Sequence, residues 1–284
     1  MSIDQITVLG AGTMGHGIAV NAATAGYTVI LHDINQAAID AGLARAQAFL
    51  DKGVERGKTT KEQRDQALER LSGEVDFGAA VSHADLVIEA APEHLELKRK
   101  IFSDLGQSCP KHTLLASNTS SCSVTEMAVA SGRPDQVIGA HFFNPVPIMK
   151  LLEVIVTDHT SPSTKEALLE FASRLGKTTA VIKDSPGFAT SRLGIAIALE
   201  AIRMVEQDVA KPSDIDTCME LGYRFPMGPL RLTDLVGLDV RLGIADTIYE
   251  ATQSPVFKAP ELLRSMVESG QLGRKSGQGF YSYE

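Results

Sequence analysis

The sequence predicts an α/β protein in which a doubly wound parallel sheet is followed by a smaller all-α domain. Three observations predict it. Short β-branched runs recur with helical segments between them, a glycine-rich turn follows the first run, and helical spacing takes over after residue 184. With 284 residues, 44% of them apolar, the chain has room for two moderate domains, placed at 1–184 and 185–284.

The predicted strands are residues 5–9, 27–31, 85–89, 113–117, 137–143, 151–156 and 178–183. Residues 6–31 lack Asp, Glu, Lys and Arg, yet Asp4 stands where a signal peptide would carry basic residues, and glycines, His16 and Asn21 interrupt the run. It reads as strand, turn, helix and strand, so no membrane span is expected. Between the second and third strands, about residues 35–72 are charge-laced, and a break near Gly57 and Thr59 predicts an inserted helical hairpin. Its length exceeds an ordinary crossover. Further on, Asp184 and Ser185 offer N-cap oxygens and Pro186 suits a first helical turn; Ile195, Leu199 and Ile202 then recur at helical spacing. The helical domain is short for a self-sufficient core, so packing against a second copy in a homodimer is expected.

A net charge of −8 excludes a mainly nucleic-acid partner, because no broad basic surface is available to displace counterions. The three cysteines, Cys109, Cys122 and Cys218, form no CxxC pair and are odd in number. Neither a disulfide framework nor a metal site is expected, and a reducing, cytoplasmic compartment fits.

Gly10, Ala11, Gly12, Thr13, Met14 and Gly15 form a GxGxxG between the first strand and a helix running to about Ala25. The first glycine permits the tight turn, the second lets a pyrophosphate approach the backbone, and the third allows close packing of helix on strand. Helix-start N–H groups, with Thr13 and Met14 among them, then bind phosphate. The next strand ends at Asp33, near the position from which a carboxylate bonds the adenosine ribose. Asp33 repels a 2′-phosphate, and no Arg or Lys follows before Arg45, so NAD is the expected cofactor of a Rossmann-type domain.

Residues 117–121 read SNTSS, and residues 139–154 read GAHFFNPVPIMKLLEV. His141 carries an imidazole able to take a proton near neutral pH, and Glu153, on the next predicted strand, can fix its tautomer. The residues alone also allow a structural histidine beside an unrelated glutamate. Any serine of the SNTSS run, Ser120 included, can cap the helix that follows, and the residues alone do not choose among them. Cys122 reads as a small hydrophobe at a strand-to-helix junction. Arg45, Lys52 and Arg56, at i, i+7 and i+11, form a basic stripe on the hairpin, readable as a ligand contact or as a solvated face.

From the glycine fingerprint through SNTSS, HFFNPVPIMKLLEV, PGF and PMGPLRLTDLVGLD to GQGFY, the chain resembles the 3-hydroxyacyl-CoA dehydrogenase family, particularly its short, single-function bacterial members acting on 3-hydroxybutyryl-CoA. The resemblance implies NAD-dependent interconversion of (S)-3-hydroxyacyl-CoA and 3-oxoacyl-CoA in fatty-acid or short-chain acyl-CoA metabolism. It implies a catalytic His141–Glu153 pair and Ser120 on the substrate oxygen. It also implies cofactor contacts from Glu93, Lys98, Asn118, Asn144 and Lys275, and contacts to the CoA nucleotide from Lys52 and Arg56. The family's usual asparagine after PGF is replaced by Ser191, a shorter side chain; either its hydroxyl and a water together are expected to replace the amide, or turnover is weakened or the acyl preference shifted. Two rival readings are a dehydrogenase of a free hydroxy or sugar acid, with Arg192 as the nearest carboxylate-binding candidate, and a non-catalytic, crystallin-like NAD-binding relative.

Overall fold

A computed structural model describes residues 3–283, in two compact units, the first ending at Asp184 and the second beginning at Ser185. The first unit runs β1 (Gln5–Leu9), α1 (Thr13–Thr24), β2 (Thr28–His32), α2 (Gln36–Glu55), α3 (Lys61–Glu69), β3 (Leu71–Glu74), α4 (Phe77–Val81), β4 (Leu86–Glu89) and α5 (Leu95–Ser108). It continues with β5 (Leu114–Ser117), α6 (Val124–Ser131), β6 (Val137–Phe142), β7 (Leu151–Val156), α7 (Pro162–Arg174) and β8 (Thr178–Lys183).

The sheet order is β3-β2-β1-β4-β5-β6-β7-β8. The chain winds outward from β1 in one direction and then from β4 in the other, which leaves a crevice at the strand C-termini where the order reverses. Strands β1, β4, β5 and β6 are almost wholly buried, as expected of strands covered on both faces. Ile6, Val8, Leu31, Leu86, Ile88, Ala116 and Ile138 form the centre of this core.

Two corrections to the sequence reading concern the sheet. The pair β6–β7 is antiparallel, not parallel; only residues 143–150 connect the strands, too few for a crossover. The edge strand β3 was not anticipated, because LSGE carries one apolar residue and no alternation. It is recruited by pairing with β2 and by helix α2 lying on it: a Cβ at Gly73 would sit 2.3 Å from Ile39 Cγ2.

Helix α2 is capped by Asn35, whose side chain accepts from Ala38 N, and it buries Ile39, Gly42, Ala46 and Leu50 at helical spacing. Gly57, in the left-handed region at φ +65, reverses the chain, and Thr60 with Gln63 forms a capping box for α3.

The second unit comprises α8 (Thr190–Glu206), α9 (Pro212–Thr217), α10 (Pro229–Val236), α11 (Leu238–Thr252) and α12 (Glu261–Glu268). Its core is built from Ile195, Leu199, Ile202, Leu230, Leu238, Ile248 and Leu263. Helix α8 starts later than the sequence predicts. Asp184 caps elsewhere, accepting from Thr125 N at 2.7 Å, Thr125 Oγ1 at 2.6 Å and Ser123 Oγ at 3.2 Å at the start of α6. Pro186 lies in a turn instead of a first helical turn, since Gly187 (φ +76) and Phe188 (φ +48) are left-handed, and a Cβ on Gly187 would lie 2.5 Å from Ile248 Cδ1.

Two aspartates organise the C-terminal motifs. Asp216 accepts from Leu230 N, Arg231 N and Tyr281 Oη; Asp234 accepts from Phe280 N, Tyr281 N and Tyr283 Oη. Among the described residues, no helix is long and apolar enough to cross a membrane.

Candidate active site

The glycine loop between β1 and α1 shows which of its glycines the protein itself requires. A Cβ on Gly10 would lie 2.6 Å from the Ala90 carbonyl oxygen, and one on Gly15 would lie 1.6 Å from that of Gly10. A Cβ on Gly12 would meet nothing within 4 Å. Among the described residues, no side chain caps α1. Open space above Gly12 at an uncapped helix start is the cradle that a pyrophosphate fills. Asp33 joins the loop by accepting from Ala11 N and Ile34 N, each at 2.8 Å. A cleft of about 490 Å³ lies here, lined by Gly10, Gly12, Thr13, Met14 and Asp33 among others. Cofactor and residues fit one another.

Arg45 departs from the predicted basic stripe. Its Nη2 donates to the Ala11 carbonyl at 2.6 Å, so it clamps the glycine loop. Lys52, in the last turn of α2, and Arg56, its C-cap, stay exposed at the far end of the hairpin.

At the C-terminal ends of β4 and β5 the chain gathers several polar residues. Asn118 N donates to the Glu89 carbonyl at 2.7 Å, and Asn118 Oδ1 accepts from Phe142 N at 2.9 Å, tying the SNTSS turn to both neighbouring strands. Glu93 lies in the loop before α5 and folds over the turn, where its Oε1 accepts from Thr119 Oγ1 at 2.6 Å and from Ser120 N and Ser121 N at 2.8 Å each. The Ser120 and Ser121 hydroxyls donate to the same oxygen at 3.1 Å. Burial alone would raise the Glu93 carboxyl; the Lys98 ammonium and these donors outweigh it and hold it at about 2. Ser120 is therefore a turn residue, and Ser123 is the residue that caps α6.

Lys98 is 1% exposed. Its ammonium donates to Glu89 Oε1 at 2.7 Å and to the Ala91 carbonyl at 3.1 Å, and lies 3.3 Å from Glu93 Oε2. Sequence reasoning missed Glu89. A charged residue closing an otherwise apolar four-residue strand was the available signal.

His141 and Glu153 sit directly opposite each other on β6 and β7, and the antiparallel pairing is what makes a spacing of twelve residues a contact. Glu153 Oε2 lies 2.7 Å from His141 Nδ1, with the glutamate fully buried and the histidine 7% exposed. The Phe143 ring packs 4.5 Å from the imidazole, centroid to centroid. Asn144 follows, exposed, at the cis bond to Pro145.

In the second unit, Ser191 is half-buried in the first turn of α8, four residues before the fully buried Ile195. Lys275 Nζ lies 2.6 Å from the Asp239 carboxylate. Cys122 is half-buried, and burial pushes its thiol up, away from the thiolate a nucleophile needs. No group of three or more His, Cys, Asp or Glu among the described residues is placed to hold a metal.

Residues 5–185 match the model of the 3-hydroxyacyl-CoA dehydrogenase NAD binding domain, and residues 187–283 match that of the same family's C-terminal domain. A probable 3-hydroxybutyryl-CoA dehydrogenase of Bacillus subtilis is 45% identical over 284 residues, covering 100% of this chain and 99% of its own. The mitochondrial hydroxyacyl-coenzyme A dehydrogenase of Rattus norvegicus is 42% identical over 99% of this chain and 92% of its own. The crystal structure of (S)-3-hydroxybutyryl-CoA dehydrogenase from Ralstonia eutropha superposes with a TM-score of 0.97 at 39% identity, covering all of both chains. With both domain models matched in order along almost its whole length, and relatives of this identity spanning it, the chain belongs to the 3-hydroxyacyl-CoA dehydrogenase family.

Proposed function

We propose that the protein interconverts (S)-3-hydroxyacyl-CoA and 3-oxoacyl-CoA with NAD, acting on short acyl chains such as 3-hydroxybutyryl-CoA and acetoacetyl-CoA. The buried His141–Glu153 pair carries the reading. With Nδ1 held by Glu153 at 2.7 Å, the nitrogen that exchanges a proton with the substrate hydroxyl is Nε2. In the oxidative direction His141 takes that proton, and Glu153 stabilises the imidazolium; in the reductive direction the protonated ring returns it. The dinucleotide, when bound, accepts or supplies the hydride at substrate C3. Ser120 donates a hydrogen bond to the C3 oxygen as its charge develops.

Gly10, Gly12, Thr13, Met14 and Gly15 cradle the pyrophosphate, and Asp33 takes the adenosine ribose. The Asp33 carboxylate favours NAD over NADP by repelling a 2′-phosphate. Glu93, Lys98, Asn118, Asn144 and Lys275 serve the cofactor; Lys52 and Arg56 serve the CoA phosphates, and their exposure fits a ligand that stays at the surface. Ser191 replaces the family's asparagine through its hydroxyl and a bridging water. Apolar side chains left exposed in the second unit, Leu193, Leu221 and Val240 among them, support a homodimer. Three unpaired cysteines support a cytoplasmic location.

The test is oxidation of NADH by acetoacetyl-CoA, with NADPH in parallel. Turnover with NADH and a preference of at least about 10-fold over NADPH are expected. Measurable NADH binding without turnover of any 3-oxoacyl-CoA would reject the catalytic reading.

A further inference from the structure

We propose that Arg241 forms an anion-binding site in the second unit, where its guanidinium takes a carboxylate carried by the acyl chain of a substrate or by a free small anion. The inference goes beyond the dehydrogenase reading above, and its acyl-chain form rests on that reading. Arg241 lies close to the N-terminal end of α11 and is 7% exposed. Its Nε is buried and has no hydrogen-bond partner among the described residues. Burial lowers the guanidinium pKa and no neighbouring carboxylate offsets it; the group nonetheless stays charged.

The position is unfavourable for a cation unless an anion joins it. A charge taken out of water needs a partner, and the start of a helix is the positive end of its dipole. Asp239, Asp246 and Glu200, on the two helices that meet here, are paired instead with Lys275, Arg264 and Arg203. Helix α8 leaves room for a ligand. Apart from its chain neighbours and its own helix backbone, a Cβ on Gly194 would meet one atom within 4 Å, Arg241 Nη1 at 3.5 Å. The guanidinium therefore faces a space that a side chain at this position would fill. Ser191 lies one turn earlier on the same face of α8, so its Cβ is about 5–6 Å from that space, and it stands where the resemblance places the family's asparagine. A carboxylate is the matching ligand: it is planar and charged, and it accepts two parallel N–H bonds from a guanidinium fork. A neutral carbonyl would leave the buried charge uncompensated.

The experiment uses the full chain with Arg241→Met and Arg241→Lys. It compares the reduction by NADH of two six-carbon 3-oxoacyl-CoA thioesters, one ending in a carboxylate and the other in a methyl group. Thermal unfolding is followed in parallel while glutarate is titrated at constant ionic strength. If the substrate carries the carboxylate, kcat/KM of the parent favours the charged chain about 10-fold or more, and Arg241→Met lowers that ratio about 100-fold by leaving the carboxylate unpaired. Arg241→Lys keeps the charge without the fork and retains only part of the ratio. If a free anion is the ligand, the two chains are reduced alike, while glutarate raises the Tm of the parent saturably and leaves that of Arg241→Met unmoved.

Equal rates on both chains together with no glutarate-dependent shift in the parent would overturn the proposal. So would either effect persisting in full in Arg241→Met, or a loss of stability in that variant with both ligand readouts unchanged, which would mark Arg241 as a structural residue. A change of oligomeric state on the same substitution would assign the guanidinium to a carboxylate of a second copy and overturn it too. Should Arg241→Met fail to fold, Arg241→Lys and the two readouts of the parent still decide. A parent inactive on every 3-oxoacyl-CoA would instead remove the dehydrogenase reading, and the glutarate titration would then test the anion site by itself.

Discussion

Two clusters of carboxylates, one in each unit, are built from the same parts and do different work. In the first unit Glu93 holds the SNTSS turn and Glu153 holds His141; in the second, Asp216 and Asp234 hold the segments PMGPLRLTDLVGLD and GQGFY. Glu153 and Asp234 both lie in motifs contiguous in the sequence. The donors differ. Glu93 accepts from backbone N–H groups and from hydroxyls, of which that of Ser120, at 3.1 Å, can change partner, and Glu153 faces an imidazole, which can change charge, at the C-terminal edge of an open sheet. Asp216 and Asp234 are bonded to backbone N–H groups and tyrosine hydroxyls, and the glycines beside them admit no side chain: a Cβ on Gly228 would lie 2.3 Å from Asp216 Cβ, and one on Gly279 would lie 2.2 Å from Asp234 Oδ1. The Tyr283 hydroxyl is pushed up to about 12 by burial and by its bond to Asp234, and Tyr281 is raised likewise through burial and Asp216. The second cluster is therefore a staple that closes the C-terminal tail onto α9 and α10. A dense motif marks a site only where its donors remain exchangeable.

Substitutions break this contrast in opposite ways. His141→Gln should lower kcat for acetoacetyl-CoA reduction by about 10³- to 10⁴-fold, as expected for loss of a general acid. Its urea midpoint should move little. Asp216→Ala should do the reverse: three donors lose a buried acceptor, costing about 2–4 kcal/mol in urea unfolding, while kcat per folded molecule stays within about 2-fold. A large kcat loss in Asp216→Ala at full folding would dissolve the distinction between staple and site.

Glu153→Gln keeps the shape of the pair and removes its charge, so the imidazolium loses about 1.5–3 kcal/mol of stabilisation. The measurable result is a kcat loss of roughly 10- to 100-fold with a shifted pH profile. The smallest effect concerns acid stability. Because Glu93 is depressed to about 2 from an ordinary 4.5, it stabilises the fold above about pH 4.5, and that contribution is lost as pH falls toward 2. Glu93→Gln should flatten this part of the stability curve in urea titrations at several pH values, and an unchanged slope would show that the turn does not depend on the carboxylate's charge.

Seven of the eight strands were legible because each carries a β-branched run long enough to fill a buried strand. LSGE was not, since an edge strand needs little apolar content once a neighbour and an overlying helix supply the pairing. The antiparallel turn of β7 was legible only in loop length, which the parallel reading passed over. For Asp184, the cap residue was visible and its helix was not: the side chain serves α6, from a position about sixty residues away in sequence, and no local pattern encodes that choice. His141 and Glu153 were both identifiable, as a proton-transfer group and a carboxylate on consecutive strands, but their contact required the register His141↔Glu153.

By itself the sequence determined the alternation of strands and helices, the glycine turn after the first strand, the change to helices after residue 184 and the family. All of these depend on local periodicity, on backbone freedom at single positions or on motifs contiguous in the chain. Only the tertiary structure decided that Lys98 points inward, that Arg45 clamps the glycine loop, that Glu89 contacts Lys98 and Ser117, and that Asp216 and Asp234 hold the C-terminal segments. The reason is physical. Whether a charged side chain faces solvent, a ligand or another buried charge depends on which distant segments the sheet order brings beside it, and the energy of that placement comes from desolvation and partners that no stretch of neighbouring residues contains.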